Sequence, residues 1–408
     1  MLPRFLFLLF LAIPVWADDL PAWVINLARI QRSVADNLKR LPDYTCLETI
    51  DRYAARGKQR MRLLDRARVA VAVVDKHEMY AWPGDKSFGE RSLIQMLPAG
   101  FVSDGDFTNL AHNVFLSRAA VITFSGEEQA GTSKLLRYDY RIPQTAESWM
   151  VRLRGASGTM GVKGSFWADA STFELVRLTS EGEDLPAWFP DKSLSGEVAY
   201  GRVRFGASVI LLPVSSDMHA ESFTGARRWN HSTFAGCRQY SSESVISYAE
   251  TGREGSTESK VNEVVSLKLR PGIELELRLD NMLDSASALV GDSVRARLAR
   301  AVHLAGGETL PRGAVATGVI RNLEKENAGD PWYTVGLEFN GLEYPGHRAI
   351  FSGVLVEVSG FPGLQRNLLA FLSGDSAGPA NQPGVGYFYV TGDPIRVPAG
   401  TRLTWRTR

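Results

Sequence analysis

The segment GSFWADASTFELVRL, residues 164–178, has the pattern of a β-hairpin. Two apolar, aromatic-rich runs flank the polar sequence DAST, an arrangement typical of two strands joined by a short turn. Similar short runs, separated by turn signals, recur from Tyr44 to Tyr248. We therefore predict that this part of the chain is mainly β.

Two helical patterns accompany these strands. Residues 20–41 carry an apolar face whose members step by four and three: Trp23, Leu27, Ile30, Val34, Leu38 and Leu41. A second pattern, SDGDFTNLAHNVFLS at 103–117, begins at a capping Ser103 or Asp104. It lies in a predicted helical insert at 86–118, so the fold class is α+β, with β structure dominant.

The hairpin carries a recognisable motif. Trp167, Asp169 and Thr172 stand as W-x-D-x-x-T, followed by an apolar strand with Arg177. This resembles the central hairpin of the periplasmic LolA/LolB lipoprotein carriers and of RseB-like envelope-stress regulators. The resemblance extends over 18–248 and implies a strongly curved antiparallel sheet, a half-barrel, with helices on its concave side.

A polar segment separates this region from the rest of the chain. Residues 249–267 are predicted to form a linker, because 249–263 are nearly free of apolar side chains. Beyond it, at 268–408, Ile273, Leu275 and Leu277 alternate with charged residues as in a half-buried strand.

The C-terminal region has its own resemblance. The stretch VGDSVRARLARAVHLAGGETLPRGAVATGVI, residues 290–320, is similar to the β-barrel domain of TrbI/VirB10-type conjugation and secretion proteins. Those proteins normally also carry an inner-membrane helix and a Pro-rich segment, which this chain lacks. The resemblance implies an all-β barrel but not a role in a secretion channel.

The N-terminus predicts export. MLPRFLFLLFLAIPVWADD has one basic residue, an apolar run and a small-x-small site, so we predict a signal peptide at 1–17, cut after Ala17. The expected location is periplasmic or secreted. Later stretches are too short for a membrane helix, so we expect a protein that does not span the membrane. A net charge of +1 argues against nucleic-acid binding.

The chain has two cysteines, Cys46 and Cys237. An oxidising compartment permits a disulfide between them, and the alternative is a pair of buried free thiols. The bridge would tie the first strand of the half-barrel to its last, which predicts that the disulfide closes the half-barrel.

Patterns for catalysis or cofactor binding are missing from the sequence. The six histidines are dispersed, without H-E-x-x-H or close cysteine and carboxylate neighbours, and there is no G-x-S-x-G nucleophile motif. We therefore expect a non-enzymatic protein without a metal or cofactor.

Aromatic residues are the better indication of function. A half-barrel needs its concave face covered by helices or by a ligand, and an apolar lining suits an acyl chain. The candidate ligand-binding residues are Trp82, Phe101, Phe107, Phe115, Trp149 and Trp167. The leading hypothesis is a trough for a lipid, lipopeptide or protein segment, with a lipid or lipoprotein ligand and an envelope protein as expected partners. The alternatives are a packed core in a structural or assembly module of a cell-envelope complex, and, least supported, a secreted hydrolase.

Overall fold

The computed structural model describes most of the chain. The described residues are 20–85, 87–89, 92–97, 102, 109–146, 149–153, 156–206, 208–240, 265–326, 330–365 and 382–408. The predicted signal peptide and the part of the predicted linker up to residue 264 lie outside these ranges.

The first half of the chain forms a ten-stranded antiparallel sheet. The strands of this region are β1 (Tyr44–Arg56), β2 (Arg62–Val74), β3 (His77–Ala81), β4 (Val121–Ala130), β5 (Ser133–Ile142), β6 (Met150–Leu153), β7 (Ala156–Thr159), β8 (Gly161–Asp169), β9 (Leu175–Glu183), β10 (Asp191–Phe205), β11 (Ser208–Ser222) and β12 (Ala226–Gln239). The sheet order is β3-β2-β1-β12-β11-β10-β9-β8-β5-β4, and β6 and β7 form a separate small hairpin. The hairpin predicted at 164–178 is β8 and β9.

Three α-helices accompany this sheet in the described part of the chain. They are α1 (Ala22–Arg40), α2 (Leu93–Met96) and α3 (Asn109–Phe115). The predicted first helix is confirmed, and α2 and α3 lie within the predicted helical insert. One 3-10 turn, Gln144–Ala146, follows β5.

Strands and the turns that connect them make up the described part of the C-terminal unit, by which we mean residues 265–408. The strands are β13 (Val265–Lys268), β14 (Glu274–Leu279), β15 (Leu283–Asp284), β16 (Ser293–Leu298), β17 (Val302–His303), β18 (Thr309–Leu310), β19 (Val315–Glu326), β20 (Trp332–Tyr344), β21 (His347–Ile350), β22 (Gly353–Val358), β23 (Leu364–Gln365), β24 (Val385–Thr391), β25 (Arg396–Val397) and β26 (Arg402–Thr407). Since β13 begins at Val265, the second sheet starts three residues before the predicted boundary.

The second large sheet curls on itself. Its main path is β13-β21-β20-β19-β16-β14-β26-β22, and β24 pairs with β20. Gly386 of β24 lies so close to β22 that a Cβ atom there would come within 2.4 Å of the Leu355 Cβ. The ring of strands therefore closes by packing of β24 against β22, in agreement with the predicted all-β barrel fold.

The two faces of the first sheet have opposite character. Directly paired residues of an antiparallel sheet lie on the same face. One row across the sheet, on what we call the helix-side face, is Tyr138, Phe166, Leu178, Val198, Ser216, Ser232, Ile50 and Ala67. The adjacent row, on what we call the polar face, is Asp139, Ser165, Thr179, Glu197, Asp217, His231, Asp51 and Arg66.

The two cysteines form the predicted disulfide, with their Cα atoms 4.1 Å apart. It joins β1 to β12, the first and last strands of the sheet in sequence. These strands are antiparallel, hydrogen-bonded neighbours inside the sheet, whereas the sheet edges are β3 and β4. The expectation that the disulfide closes the half-barrel is therefore wrong: it cross-links an interior strand pair.

The C-terminal unit covers one end of the first sheet. The backbone N–H of Arg68 on β2 donates to the Val290 carbonyl at 2.6 Å, and the Val290 N–H donates to the Arg66 carbonyl at 2.8 Å. These bonds occupy the β2 edge beyond the end of β3. Gly291 follows with φ +99°, and a Cβ atom there would lie 2.0 Å from the Arg68 carbonyl oxygen. Glycine is required for this close approach.

The apolar core continues across this contact. Ile50 and Ala67 of the first sheet belong to the same buried cluster as Leu277 and Trp405 of the C-terminal unit. A buried Arg52–Asp65 ion pair lies at the same end of the sheet. The helix-side face is therefore covered by helices at one end and by the C-terminal unit at the other.

Candidate ligand-binding site

The helix-covered end of the sheet is the region in which sequence reasoning placed a ligand. Ile30 and Val34 of α1 are buried, and so are Leu110, Val114 and Phe115 of α3. They pack in one cluster with the helix-side residues of β5, β8, β9 and β10. The spacing of Ile30 and Val34 explains the contact, because residues four apart lie on one helix face.

Aromatic rings form the centre of this cluster. Tyr138 stacks on Phe166 with ring centroids 5.2 Å apart, and Phe115 meets Phe166 edge-on at 4.7 Å. The Tyr138 hydroxyl donates to the carbonyl of Trp23 at 2.7 Å, which ties the start of α1 to β5. Burial raises the pKa of Tyr138, so this hydroxyl keeps its proton and remains a donor.

A second tie holds the end of α1. The Asn37 amide donates to the Leu211 carbonyl at 2.8 Å and accepts from the Leu211 N–H at 3.0 Å. Leu211 lies where β11 extends beyond its pairing with β12. The side chain of Asn37 thus satisfies a strand edge that would otherwise be left beneath a helix.

We expect Asn37→Ala to lower the free energy of unfolding by about 2 kcal/mol, because both backbone groups of Leu211 would lose a partly buried partner. Urea denaturation of wild type and variant measures the change. Ser33→Ala on the same helix is the matched control and should shift stability by less than about 0.5 kcal/mol. Equal midpoints for Asn37→Ala and wild type would contradict a clamping role.

The space beneath α1 is small. A cavity of about 20 Å³ lies between α1, α3 and the sheet, lined by Val34, Leu38, Ala111, Leu175 and Leu211 among others. This volume holds roughly one water molecule, far less than an acyl chain requires. A ligand on this face must therefore displace α1.

An apolar rim borders the free edge of the sheet. β4 is the edge strand, and Phe124 on it packs edge-on against Tyr138 at 5.2 Å. Phe124 is 37% exposed, and Trp23, whose carbonyl Tyr138 binds, is 39% exposed. The buried aromatic row thus continues outward to the partly exposed ring of Phe124, and Trp23 is joined to the same row through its backbone carbonyl. We call Phe124 and Trp23 the rim.

Some of the predicted ligand-binding residues lie at the helix-covered end of the sheet, and others do not. Phe115 is buried in the cluster beneath the helices, and Trp149 packs against its border. Phe101 and Phe107 lie outside the described residues. Sequence reasoning did not identify the rim residues Trp23 and Phe124, because the helical spacing places Trp23 on the apolar face of α1 and no sequence motif marks Phe124.

Trp82 and Trp167 do not line the helix-covered region. Trp82 lies in the core shared with the C-terminal unit, where the Arg321 guanidinium is 4.4 Å from its ring centroid. Trp167 is on the polar face, since it pairs directly with Arg137 while Phe166 pairs with Tyr138. Strand alternation separates neighbours such as Phe166 and Trp167 onto opposite faces.

On the polar face, Trp167 is surrounded by charged side chains. The Arg177 guanidinium lies 3.8 Å from its ring centroid, and its indole N–H donates to Glu128 at 2.8 Å. Hydroxyls and charged groups continue along this face, where Ser165 donates to Asp139 at 2.6 Å. Trp167 therefore stabilises a solvent-facing polar ladder.

Within the described ranges, no group of three or more histidine, cysteine, aspartate or glutamate side chains is arranged to hold a metal ion. In that same part of the chain, no helix combines the length and apolar character needed to cross a bilayer.

Fold and site together define a mainly β protein with a curled half-barrel sheet and a helix-covered apolar face. No family model matches the sequence. No curated protein matches it either.

Several solved structures are similar over about half of this chain. A LolA superfamily protein of Nitrosomonas europaea is 9% identical, with a TM-score of 0.26, over 53% of this chain and 93% of its own. A DUF1329 family protein of Desulfovibrio piger is 12% identical, with a TM-score of 0.29, over 54% and 94%. The Mycobacterium tuberculosis lipoprotein LppX is 10% identical, with a TM-score of 0.19, over 52% and 94%. These values transfer no function to this chain.

Proposed function

We propose that this protein binds an apolar ligand of the acyl-chain class, a lipid or lipopeptide, beneath α1 on the helix-side face. The observation that carries the proposal is the continuity of the aromatic row, from buried Phe166 through Tyr138 to the exposed ring of Phe124 at the sheet edge. Each buried methylene group of such a ligand contributes about 0.8 kcal/mol, which offsets the cost of displacing α1 from the sheet. We place this activity in the periplasm or outside the cell, following the predicted signal peptide.

The test is uptake of 1-palmitoyl lysophosphatidylglycerol, followed by native mass spectrometry. We expect a one-to-one adduct, and a larger adduct fraction for Asn37→Ala because its α1 is less firmly held. Glycerophosphoglycerol, which has the head group but no acyl chain, should give no adduct. If neither wild type nor Asn37→Ala forms an adduct, the proposal is wrong.

The edge strand offers a matched pair of variants. Phe124→Ser removes a rim ring and should weaken lipid binding at least fivefold, because an aromatic contact with the chain is lost. Val121→Ser alters a 67% exposed residue of the same strand, on the opposite face since it pairs with Arg141. We expect Val121→Ser to bind like wild type, and equal weakening by both variants would argue against the rim.

A second candidate function is a structural or assembly module of the cell envelope, with an envelope protein as partner. The small cavity beneath α1 and the core shared between the sheet and the C-terminal unit favour it. This function predicts no lipid adduct in any variant and one cooperative unfolding transition for the whole chain.

A further inference from the structure

A larger cavity lies away from α1, between the first sheet and the C-terminal unit. It has a volume of about 520 Å³ and is bounded by residues 62–66 of β2, the segment 285–288, Leu323 and Lys325 of β19, Tyr333 of β20, and Asp393. We call it the interunit cleft. Its volume lies within the roughly 300–1,000 Å³ of small-molecule sites, which often occur where two packed units meet.

One part of the cleft wall is apolar. The apolar residues of its lining are Leu63 and Leu64 of β2, Leu323 of β19, and Ala286 and Ala288. Small alanine side chains leave the space open. An apolar group of modest size can therefore be buried in the cleft.

The charged residues of the cleft leave one cation without an ion pair. Asp65 is bound to Arg52, Arg66 to Asp51 and Lys325 to Asp393, and each of these pairs is neutral overall. Arg62 is exposed and forms no ion pair with any residue whose structure is described. Within the described part of the chain, Arg62 is therefore the one charged residue of the cleft lining without an ion-pair partner.

Two hydroxyl-bearing residues also belong to the cleft lining. The Tyr333 hydroxyl donates to Asp393 at 3.2 Å, and the Ser285 hydroxyl oxygen accepts from the Ile395 N–H at 3.0 Å. Both residues line the cleft, which makes this part of its lining polar.

We propose that the interunit cleft binds an organic anion, a carboxylate or phosphate attached to a small apolar group. Arg62 binds the anionic group, and the leucine and alanine wall holds the apolar group. A guanidinium suits this role because its planar donors match two oxygens of a carboxylate or phosphate. This site is separate from the one beneath α1 and does not depend on it.

The test uses isothermal titration calorimetry of the full chain with phenyl phosphate at low ionic strength. We expect saturable one-to-one binding, about tenfold weaker for Arg62→Gln, since a charge-assisted hydrogen bond is lost. Inorganic phosphate should bind more weakly than phenyl phosphate, because it leaves the apolar wall unfilled. Equal affinities for the two probes would overturn the role of that wall.

Two further variants test whether binding depends on the position of Arg62 and on the open space of the cleft. Arg60→Gln removes the same charge from an exposed position two residues earlier, outside the cleft, and should keep wild-type affinity. Ala286→Phe should abolish binding by filling the cleft while leaving the chain folded, since Ala286 is exposed.

A second arm separates a free anion from a lipid head group, which carries the same chemistry. Sedimentation with phosphatidylglycerol vesicles should show no Arg62-dependent binding if the ligand is a soluble molecule. Binding to vesicles that Arg62→Gln weakens, without phenyl phosphate binding, assigns the cleft to a lipid head group. If neither probe binds in an Arg62-dependent way, the proposal is overturned.

Discussion

Asp65→Ala should lower the free energy of unfolding by about 3–5 kcal/mol, because it leaves a buried guanidinium without its counter-charge. The Arg52 and Asp65 side chains are only 6% and 2% exposed, and Arg52 Nε donates to Asp65 Oδ1 at 2.6 Å. Burial alone would lower the pKa of Arg52, but the attraction and hydrogen bonds of Asp65 raise it. A guanidinium is not deprotonated in proteins, so the arginine stays charged in the variant, and guanidinium chloride denaturation measures the loss.

The same two strands supply the control. Asp51 and Arg66 form the neighbouring ion pair on the polar face, where the Arg66 side chain is 48% exposed. Asp51→Ala should cost less than about 1 kcal/mol, since exposed ion pairs contribute little. A similar loss for Asp51→Ala and Asp65→Ala would contradict our account of burial.

Replacing both Arg52 and Asp65 should destabilise the protein less than replacing Asp65 alone. Arg52→Met combined with Asp65→Leu places apolar groups in the site and should recover most of the lost stability. Glu324 of the C-terminal unit also interacts with this pair, and burial raises its pKa, so its carboxyl can take up a proton once Arg52 is gone. A double variant as unstable as Asp65→Ala would show that the pair has a further structural role.

The fold was largely predictable because its elements have strong local patterns. The apolar steps of α1, the runs that became β8 and β9, and the alternation from Ile273 to Leu279 each depend on residues close in sequence. Helical and strand periods are local properties of a chain. The strand order was harder to predict, because residues of β1 pair with residues of β12 that lie 170 (Arg56↔Ala226) to 195 (Tyr44↔Gln239) positions later in the chain. A period of two does not identify the partner strand.

The candidate site was predicted only in part, and the misses have one cause. A rich content of aromatic residues does not indicate the face on which each ring lies. Trp167 and Phe166 are adjacent in sequence and point to opposite faces of β8. Trp82 contacts the C-terminal unit, a long-range packing that no local pattern predicts.

The sequence also does not predict which element covers each end of the first sheet. A curved sheet with an apolar concave face requires a cover, and the sequence offers α1, α3 and a C-terminal unit without specifying which covers what. The structure uses helices over β5 and β8–β10, and Val290 with its neighbours at β2. Contacts between units depend on side-chain packing of residues more than 200 positions apart, such as Arg68 with Asp292.

Loss of the Cys46–Cys237 disulfide should lower the free energy of unfolding by about 2–5 kcal/mol. The two cysteines are 191 residues apart in sequence, so the bond restricts a very long loop in the unfolded chain. In the folded chain it joins strands that are already paired along most of their length. We therefore expect its loss to destabilise the protein without changing the strand order.

Cys46→Ala combined with Cys237→Ala measures this effect without a reductant. The chain has two cysteines in all, so the oxidised wild type should show no reaction with a thiol reagent in denaturant and two thiols after reduction. Denaturation midpoints of the oxidised wild type and the double variant should differ, while their circular dichroism spectra coincide. The disulfide joins two strands that are already paired inside the sheet, and it does not join the sheet edges. A loss of β structure in the folded double variant would therefore contradict our interpretation that the disulfide only stabilises this strand pair.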